Sequence, residues 1–410
     1  MAKLFLIDAL RKNNPKSDLF NSDSSVVSYK TGFPTLDYYL GYRVSVYNED
    51  NEIVDTYPSI GIEDGCFITL IGKPSTGKTT VGVQIAANIV RHFENGIVMH
   101  FDLEQAQNYS RIMTLTRFKM TDIRDGKYVL KQNRQSIDEI KSAIVQLWKE
   151  KISRPDEYTY NVGKKNEFNE DIVLYQPTVV IIDSIPMLTV RLNENDKKEM
   201  AKLEDLSSQT DQMRQAGEIS RFYRDIAPLC KEANIIVISI NQIKDKPQVG
   251  IVHTPSDIYY LGQNESLPGG RAPQFLANYL IKIVAVGSEK YNKDNDGFDG
   301  FGSNFLIIKS RTNQAGQTVP MIYDKVKGFD SLRTSLQFAK DNGIITGNKN
   351  GMYFVGDKDN KWIPATVHED YRANTSLYKT LYDSILPILE TKLSAVSPEE
   401  LNVPDEEFDY

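Results

Sequence analysis

The chain has 410 residues, which allows one large domain with additions or two to three domains of ordinary size. Its composition, 40% apolar and 25% charged, predicts a globular protein with a real core. Apolar runs fall short of the roughly 20 residues that cross a bilayer, and there is no signal peptide, so we expect a cytoplasmic protein without a membrane partner. The formal net charge of −7 argues against binding nucleic acid by global charge, although a local basic groove remains open.

The cysteines and histidines predict neither a disulfide nor a metal cluster. Cys66 and Cys230 lie far apart in apolar segments, which suits buried thiols in a reducing compartment. The histidines are scattered along the chain, at His92, His100, His253 and His368.

Two patterns precede the main motif. Residues 3–12, KLFLIDALRK, predict a short amphipathic helix. Residues 43–57, RVSVYNEDNEIVDTY, predict a β-hairpin about a polar turn.

The strongest local pattern is CFITLIGKPSTGKTTVGVQIAANIV, residues 66–90. An apolar strand-like run leads into a glycine-rich loop and then a helical pattern, which is the strand, loop and helix context of the GxxxxGK[ST] phosphate loop. The phosphate-binding residues predicted here are Gly72, Lys73, Pro74, Ser75, Thr76, Gly77, Lys78, Thr79 and Thr80. Backbone N–H groups of such a loop wrap the phosphates, Lys78 reaches the β and γ oxygens, and Thr79 ligates Mg²⁺. The pattern predicts a site for ATP and Mg²⁺.

Two further apolar runs end in carboxylates. PTVVIIDSIPML, residues 177–188, reads as a strand buried on both faces that ends at Asp183, our candidate for the carboxylate that holds Mg²⁺ through water. A strand-end cap is the alternative role for Asp183. GIVMHFDLEQAQ, residues 96–107, runs into Asp102 and Glu104. We predict Glu104 as the base that orients and deprotonates the attacking water, with Asp102 as the second candidate.

A fourth run, NIIVISINQIK at 234–244, ends in Asn241 and Gln242, whose buried amides need partners such as a γ-phosphate or its water. A later run, NFLIIKSRTNQ at 304–314, carries Lys309 and Arg311 two positions apart. If that run is a single strand, both cations lie on the same side and face an anion. Two charges snorkelling from an edge strand are the alternative.

The remaining segments read as additions to a core. Residues 153–176 look like an insertion before the strand that ends at Asp183. From about residue 331 we predict a small α+β appendage with helices at SLRTSLQFAKDN and TSLYKTLYDSILPILETKL and a strand at MYFVG. The tail SPEELNVPDEEFDY is acidic, and we predict that it is disordered, either for solubility or to compete with DNA for basic loops.

Four strand ends in this order, the phosphate loop, Glu104, Asp183 and Asn241–Gln242, resemble the RecA family of recombinases. SYKTGFPTLDYYLGY (28–42), INQI (240–243) and PGGRAPQFLANYLIKI (268–283) are also similar to segments of that family. KSRTNQAGQTVPMIYDKVKGFD (309–330) and SLQFAKDNGIITGNKNGMYFVG (335–356) are similar to its phage UvsX branch. The resemblance spans roughly residues 15–360.

The resemblance implies an α/β fold with a RecA-like P-loop ATPase core, in which helices flank a mostly parallel twisted sheet. It further implies a short N-terminal helix and oligomerisation segment at 1–40, the core at 41–330, a small α+β C-terminal domain at 331–396 and an acidic tail at 397–410.

The resemblance also assigns roles around the nucleotide. Gln242 takes the place of the γ-phosphate sensor. Lys309 and Arg311 take the place of two cations that reach across a subunit interface to the neighbour's ATP, and Arg311, where RecA carries a lysine, would be an arginine finger in trans. Two candidates for the adenine partner stay open, Tyr109 and Arg111, and Phe20 would dock into the adjacent protomer.

Two DNA-binding loops are implied, at about 190–210 and at 244–271. Arg224, with Arg221 three residues earlier, lies on the helix after the first loop. For the second loop we predict phosphate contacts from the cations and close backbone approach at the glycines. The residues concerned are Lys244, Lys246, Gly269, Gly270 and Arg271.

The implied function is that of a DNA-dependent ATPase that catalyses strand exchange in homologous recombination. It would form helical filaments on single-stranded DNA and pair it with homologous double-stranded DNA, helped by a recombination mediator and a single-strand binding protein in a bacterial or phage-infected cell. A hexameric replicative helicase of the DnaB type is the alternative, and it would share the phosphate loop, the glutamate and the trans cation. Only about 40 residues precede the core, which would leave no room for a helicase's N-terminal domain. A non-catalytic mediator, the third reading, would be expected to lose Glu104 or Lys78.

Overall fold

The computed structural model describes most of the core and parts of the C-terminal region. The described residues are 27–50, 52–133, 135–189, 209–245, 258–262, 265–286, 298–348, 350–358, 361–363, 366–368 and 375–394. Phe20, Lys246, the helix expected at 3–12, nearly all of the loop at 190–210 and the acidic tail lie outside them.

Twenty strands occur in the described part of the chain. They are β1 (Ser28–Tyr29), β2 (Tyr42–Tyr47), β3 (Ile53–Ser59), β4 (Ile62–Glu63), β5 (Phe67–Gly72), β6 (Ile97–Asp102), β7 (Tyr128–Lys131), β8 (Thr159–Lys165), β9 (Asp171–Tyr175), β10 (Thr178–Asp183), β11 (Ile235–Gln242), β12 (Lys244–Asp245), β13 (Glu265–Ser266), β14 (Tyr279–Val286), β15 (Gly300–Lys309), β16 (Thr318–Asp324), β17 (Gly328–Phe329), β18 (Ile345–Asn348), β19 (Gly351–Phe354) and β20 (Lys361–Trp362).

Ten α-helices accompany them within the described ranges, together with a single 3₁₀ turn at Ile185–Met187. The helices are α1 (Pro34–Leu40), α2 (Lys78–Val90), α3 (Tyr109–Thr116), α4 (Met120–Arg124), α5 (Ile137–Ser153), α6 (Pro155–Tyr158), α7 (Gln209–Glu232), α8 (Ala272–Phe275), α9 (Ser331–Asp341) and α10 (Thr375–Glu390).

A nine-stranded sheet forms the centre of the molecule, in the order β17-β16-β15-β14-β5-β11-β10-β6-β7. The strands from β14 to β7 pair in parallel, and β15, β16 and β17 extend the β14 edge by antiparallel pairing. This arrangement confirms the predicted α/β class with a mostly parallel sheet.

The central strands are buried on both faces, because alternate side chains enter two separate cores. In β10, Val179 and Ile181 pack into the core that includes α2, whereas Val180 and Ile182 pack into the core that includes α5 and α7. All six residues of β5 and of β10 are buried. Helices on both faces therefore fix the sheet, and the carboxyl ends of its parallel strands form one edge where ligands bind in such folds.

Two hairpins added to the core meet each other. The hairpin predicted at 43–57 is β2–β3, and the predicted insertion at 153–176 contains α6 and the hairpin β8–β9. The backbone N–H of Tyr47 donates to the carbonyl of Glu167 at 3.0 Å, and the Tyr57 hydroxyl donates to the carbonyl of Lys165 at 2.7 Å.

The appendage predicted after residue 331 packs around its own apolar cluster. Helices α9 and α10 cover the three-stranded sheet β18-β19-β20, with Leu336, Trp362 and Ile385 buried between them. Pro387 lies inside α10.

Cys66 and Cys230 are free, buried thiols, and burial raises the pKa of both. Among the described residues there is no grouping of histidine, cysteine and carboxylate side chains that could hold a metal ion on its own. In the same part of the chain, every helix is too short or too polar to cross a membrane.

Candidate nucleotide site

The phosphate loop joins β5 to α2, and its glycines are required by its shape. Gly77 has φ of +88°, and a Cβ atom built on it would lie 2.9 Å from the ring of Phe329. A Cβ atom on Gly72 would lie 2.6 Å from the carbonyl oxygen of Ile283. Side chains at these positions would clash with the elements packed against the loop, so glycine preserves its shape. The loop leads directly into the start of α2, where backbone N–H groups can hold a phosphate.

Lys78 is the buried cation of this loop. Its side chain folds back so that Nζ donates to the carbonyl of Lys73 at 2.6 Å, and the residue is only 6% exposed. Burial lowers the pKa of Lys78 to about 8, and the negative charges of Asp183 and Glu104 oppose that shift. An anion bound in the loop would favour the charged form.

Thr79 and Asp183 meet where α2 begins beside the end of β10. The Thr79 hydroxyl donates to Asp183 Oδ2 at 2.7 Å, and Asp183 is 2% exposed. A hydroxyl beside a carboxylate is an oxygen donor set that suits Mg²⁺. On the other side, Nε2 of the buried His100 lies 3.9 Å from Asp183 Oδ2, while His100 Nδ1 lies 2.8 Å from the hydroxyl of Tyr128.

Glu104 is held by two donors from neighbouring strand ends. Its Oε1 accepts from the Ser184 hydroxyl at 2.5 Å and from Gln242 Nε2 at 2.6 Å. Glu104 is exposed, so its carboxylate can reach water while these donors fix its direction. The structure therefore brings together the predicted base and the predicted sensor.

Asp102, the second candidate for the base, is occupied by local structure. It is fully buried, and its carboxylate accepts from the backbone N–H of Ala106 at 3.2 Å, from that of Gln107 at 2.9 Å and from Gln132 Nε2 at 2.9 Å. A carboxylate that accepts three hydrogen bonds holds the turn after β6. This geometry favours Glu104 over Asp102 as the base.

Asn241 and Ile243 tie the end of β11 to its surroundings. Asn241 Nδ2 donates to the carbonyl of Pro268 at 2.8 Å, and its Oδ1 accepts from the backbone N–H of Gln242 at 2.8 Å. The backbone N–H of Ile243 donates to the carbonyl of Gly72 at 3.0 Å. The partner of Asn241 is thus the chain itself, not the phosphate that its position suggested.

The two adenine candidates lie at the start of α3. Arg111 donates to the carbonyl of Val326 at 2.5 Å and to the Tyr323 hydroxyl at 3.5 Å. Tyr323 in turn lies against Gly77, which brings Arg111 to the segment that lines the phosphate loop. Tyr109 is 42% exposed. Thr80 faces the same segment, because its methyl group packs against Gly328.

Lys309 and Arg311 do not join this site. Lys309 pairs with Leu280 near the start of β14, whereas the phosphate loop follows the far end of β5, beside Lys282. The cations therefore lie at the opposite edge of the sheet from their own chain's phosphate loop, about 10 Å or more away at 3.3 Å per residue.

The expectation that one strand carries both cations on one side was wrong. β15 ends at Lys309, and Arg311 lies in the bend that follows. Lys309 Nζ donates to the carbonyl of Phe275 at 2.6 Å, and burial together with the charge of Arg311 lowers the pKa of Lys309. Arg311 is exposed and lies near enough to Glu63 to help lower that carboxyl's pKa, although burial raises it overall.

The candidate DNA contacts lie on two described segments. Arg221 and Arg224 are exposed on α7, and Lys244 is exposed in β12. Gly269 and Gly270 have φ of +83° and +75°, and Cβ atoms on them would lie 2.5 Å from Ile185 and 2.8 Å from Ala216. These glycines let the chain before Arg271, which is exposed, cross closely over the 3₁₀ turn after β10 and over α7.

Sequence reasoning missed four residues that shape the site: Ser184, His100, Tyr323 and Phe329. A hydroxyl directly after Asp183 was a signal for Ser184, since both follow the same strand end. The aromatic pair Tyr323 and Phe329 lies on β16 and β17, some 250 residues after the phosphate loop it packs against, and no local pattern announces it.

Comparisons with known proteins agree with this geometry. A family model of the DnaB-like helicase C terminal domain matches residues 54–256. The protein RecA of Phytoplasma mali (strain AT) is 25% identical over 362 residues, covering 86% of this chain and 84% of that protein. The protein RecA of Mycoplasma mobile is 22% identical over 389 residues, covering 93% and 91%. The chain is thus similar at low identity to RecA proteins along most of its length, and its fold is that of a RecA-like P-loop ATPase.

Proposed function

We propose that this chain is an ATP-dependent DNA strand-exchange protein of the RecA type, acting as a helical filament on single-stranded DNA. The observation that carries the proposal is the 2.6 Å contact between Gln242 Nε2 and Glu104 Oε1. Gln242 ends the strand that leads into the candidate DNA loop at 244–271, so DNA bound there can change the orientation of the base that activates water.

The hydrolytic chemistry follows from the assembled side chains. Lys78 and the backbone N–H groups of the loop would bind the β- and γ-phosphates, and Thr79 and Asp183 would hold Mg²⁺, which when bound would supply positive charge to the phosphates. Glu104 accepts the proton of the attacking water. Ser184 and Gln242 orient the Glu104 carboxylate, and the resemblance to RecA supports Gln242 as the γ-phosphate sensor.

The second part of the proposal concerns Lys309 and Arg311. Because they lie at the opposite edge of the sheet from their own phosphate loop, a role at ATP requires a second copy of this chain. A heterologous contact of this kind repeats head to tail, which gives a filament when it does not close and a ring when it does. We propose that Arg311 stabilises charge on the neighbour's γ-phosphate as a trans arginine finger.

The DNA contacts proposed for this function come from the exposed cations around α7 and the second loop: Arg224, Lys244, Lys246 and Arg271. Gly269 and Gly270 allow the close backbone approach there. Contacts to phosphates and stacked bases carry no sequence preference, as a strand-exchange protein requires.

Finer assignments belong to the same proposal. The similarity of residues 309–330 and 335–356 to the UvsX branch supports a phage origin, with a recombination mediator and a single-strand binding protein as partners. We also propose a domain boundary near residue 331, where α9 begins and from which all but one of the buried residues in the appendage's apolar cluster follow, the exception being Tyr38 of α1.

A DnaB-type ring helicase is the second candidate, because the helicase domain model matches residues 54–256. Its core chemistry is the same. The two functions differ in whether the head-to-tail assembly made through Arg311 closes into a ring or continues as a filament.

One experiment separates these functions. ATP hydrolysis is measured with and without single-stranded DNA, and the same samples are imaged by electron microscopy. Stimulation by DNA together with long helical filaments supports the recombinase. Closed rings that unwind duplex DNA support the helicase. A hydrolysis rate that is the same with and without DNA contradicts both functions.

A further inference from the structure

Lys73 belongs to the phosphate loop by its backbone, but its ammonium group contacts another element. Nζ lies 3.3 Å from Asp245 Oδ1 and 3.4 Å from Glu265 Oε1. Asp245 is in β12 and Glu265 is in β13, and the two are direct partners in that antiparallel pair. One cation of the phosphate loop therefore bridges both strands.

The strand pair β12–β13 is attached to the nucleotide site at a second point. Ile243, just before β12, donates its backbone N–H to the carbonyl of Gly72 at 3.0 Å. Lys282 Nζ supports the other strand, since it lies 3.5 Å from Glu265 Oε2 and donates to the carbonyl of Tyr260 at 2.7 Å. The backbone bond at Gly72 carries no net charge, so the Lys73 bridge is the attachment that responds to charge in the loop.

The carboxylates that face Lys73 differ in burial. The Asp245 side chain is 73% exposed, whereas that of Glu265 is 15% exposed and also accepts from the backbone N–H of Gly262 at 2.9 Å. Ion pairs as exposed as Lys73 with Asp245 are weak and easily exchanged. A triphosphate bound in the loop would be a stronger anion than either carboxylate, and the Lys73 side chain that would meet it is long and flexible and starts from that loop.

We propose that Lys73 couples occupancy of the phosphate loop to the β12–β13 strand pair: a bound triphosphate competes for its ammonium and loosens the pair. Linkage makes the effect reciprocal, so a ligand that favours the loosened strands raises nucleotide affinity by the same factor. The identity of that ligand as single-stranded DNA rests on the proposed function, because these strands flank the candidate DNA loop. The competition for Lys73 does not.

The first test uses no DNA. Hydrogen exchange of peptides that contain β12 and β13 is measured with and without a non-hydrolysable ATP analogue and Mg²⁺. Exchange in the wild type should rise about threefold with nucleotide, the scale of one or two exposed ion pairs. In Asp245→Asn it should be raised already, with little further response, whereas Asp245→Glu should restore the response.

A matched control is Asp171→Asn, which removes an exposed partner of Lys165 on the β8–β9 hairpin and should leave the nucleotide response unchanged. Circular dichroism confirms that each variant is folded. An unresponsive wild type, or an Asp245→Asn variant that responds like the wild type, would overturn the coupling.

The second test measures the ratio of single-stranded DNA affinities with and without the analogue. Asp245→Asn should reduce this ratio about threefold. Exchange that responds as expected in a chain that fails to bind DNA would retain the Lys73 coupling and refute the proposed function. If the variant binds DNA with the same nucleotide dependence as the wild type, the Lys73 coupling is refuted and the proposed function is retained.

Discussion

The two edges of the central sheet differ in how far a single chain completes them. At the carboxyl ends of β5, β6, β10 and β11, side chains from four segments make direct contacts, such as Thr79 with Asp183 and Gln242 with Glu104. At the opposite edge, Arg311 is exposed in a bend beyond β15, remote from its own phosphate loop. In the proposed function, the first edge would bind a nucleotide with residues of one chain, whereas the cations of the second edge would act on the ATP of another copy.

If Arg311 acts at a neighbour's ATP as proposed, a complete set of motifs in one sequence does not make a complete site in one chain. The parallel strands are only a few residues long, yet that length separates a cation at their amino ends from a phosphate bound at their carboxyl ends. Variants at each edge should therefore behave differently, and their order of effect tests the contrast.

The largest expected effect is at the second edge. Arg311→Ala should lower DNA-stimulated ATP hydrolysis about 10³-fold, the scale of a lost arginine finger. The nucleotide affinity of the isolated chain should stay within about twofold of the wild-type value, because in a single copy Arg311 is an exposed charge remote from the phosphate loop. Steady-state hydrolysis and fluorescent-nucleotide titration measure the two. Lys340→Ala, which removes an exposed cation on α9, is the matched control, and a large loss of nucleotide binding in Arg311→Ala would contradict the separation of the edges.

The next effect is at the first edge, where Glu104→Gln should lower hydrolysis about 10²-fold and leave nucleotide binding intact, because the base is lost while the charge on the phosphates is still held. Asp102→Asn should instead lower the melting temperature, since it weakens the turn after β6. Single-turnover hydrolysis and thermal denaturation separate these outcomes. If the Asp102→Asn protein is stable but does not hydrolyse ATP, Asp102 and not Glu104 would be the base.

A third cation, Lys151, lies near the amino ends of the parallel strands. Lys151 is buried, and its Nζ donates to the carbonyls of Gln176 at 2.7 Å and Ala233 at 2.9 Å, just before β10 and β11. Burial lowers the pKa of Lys151 to about 7. Unlike Arg311, this cation is fully occupied within its own chain.

The pH dependence of Lys151 follows from that shift. Above pH 7 the folded protein binds fewer protons at this site than the unfolded chain, whose lysine titrates near 10.4. The contribution of Lys151 to the free energy of unfolding therefore rises with pH above about 7 and does not change with pH below it. Between pH 7 and 9 the gain should be up to about 2–3 kcal/mol. Urea unfolding at several pH values should show it, and Lys151→Met should lose it. Lys149→Met, at an exposed position of the same helix, should keep it, and an unchanged slope in Lys151→Met would contradict the assignment.

The smallest effect distinguishes close approach from backbone strain. Gly77 and Gly163 both have positive φ, +88° and +73°, but a Cβ atom would meet Phe329 at 2.9 Å in the first and nothing within 4 Å in the second. Gly163→Ala should cost about 1 kcal/mol from strain alone. Gly77→Ala should cost about 1 kcal/mol more from the clash and also weaken nucleotide binding. Equal losses in denaturation would show that Phe329 does not constrain the loop.

Much of the fold could be predicted because its signals are local. The strands β5, β6, β10 and β11 are largely apolar. β5 runs into the glycine-rich loop, the other three end at a polar residue, and parallel pairing brings these ends to one edge. Glu104 and Asp183 follow from that rule, and the hairpin β2–β3 follows from alternation about a polar turn.

The rest depends on packing between distant segments. The contact of Tyr323 with Gly77 and the ion pairs of Lys73 join residues that no periodic pattern links. The end of β15 at Lys309 was misjudged because the apolar alternation gives no sign of the bend at Arg311. For Asn241 the sequence suggested a γ-phosphate or its water as one possible partner, because a polar strand end carries no local signal for a partner at Pro268.

The most direct test of the central claim, that Arg311 acts on the ATP of another copy, is a mixing experiment. Lys78→Ala and Arg311→Ala are each inactive partners: the first has no working phosphate loop and the second has no finger. Mixed in equal amounts on single-stranded DNA, they should regain about a quarter of the wild-type hydrolysis rate, because one junction in four pairs an intact loop with an intact Arg311 under random head-to-tail assembly. A mixture no more active than its separate components, although electron microscopy shows that the two variants assemble together, would contradict the account.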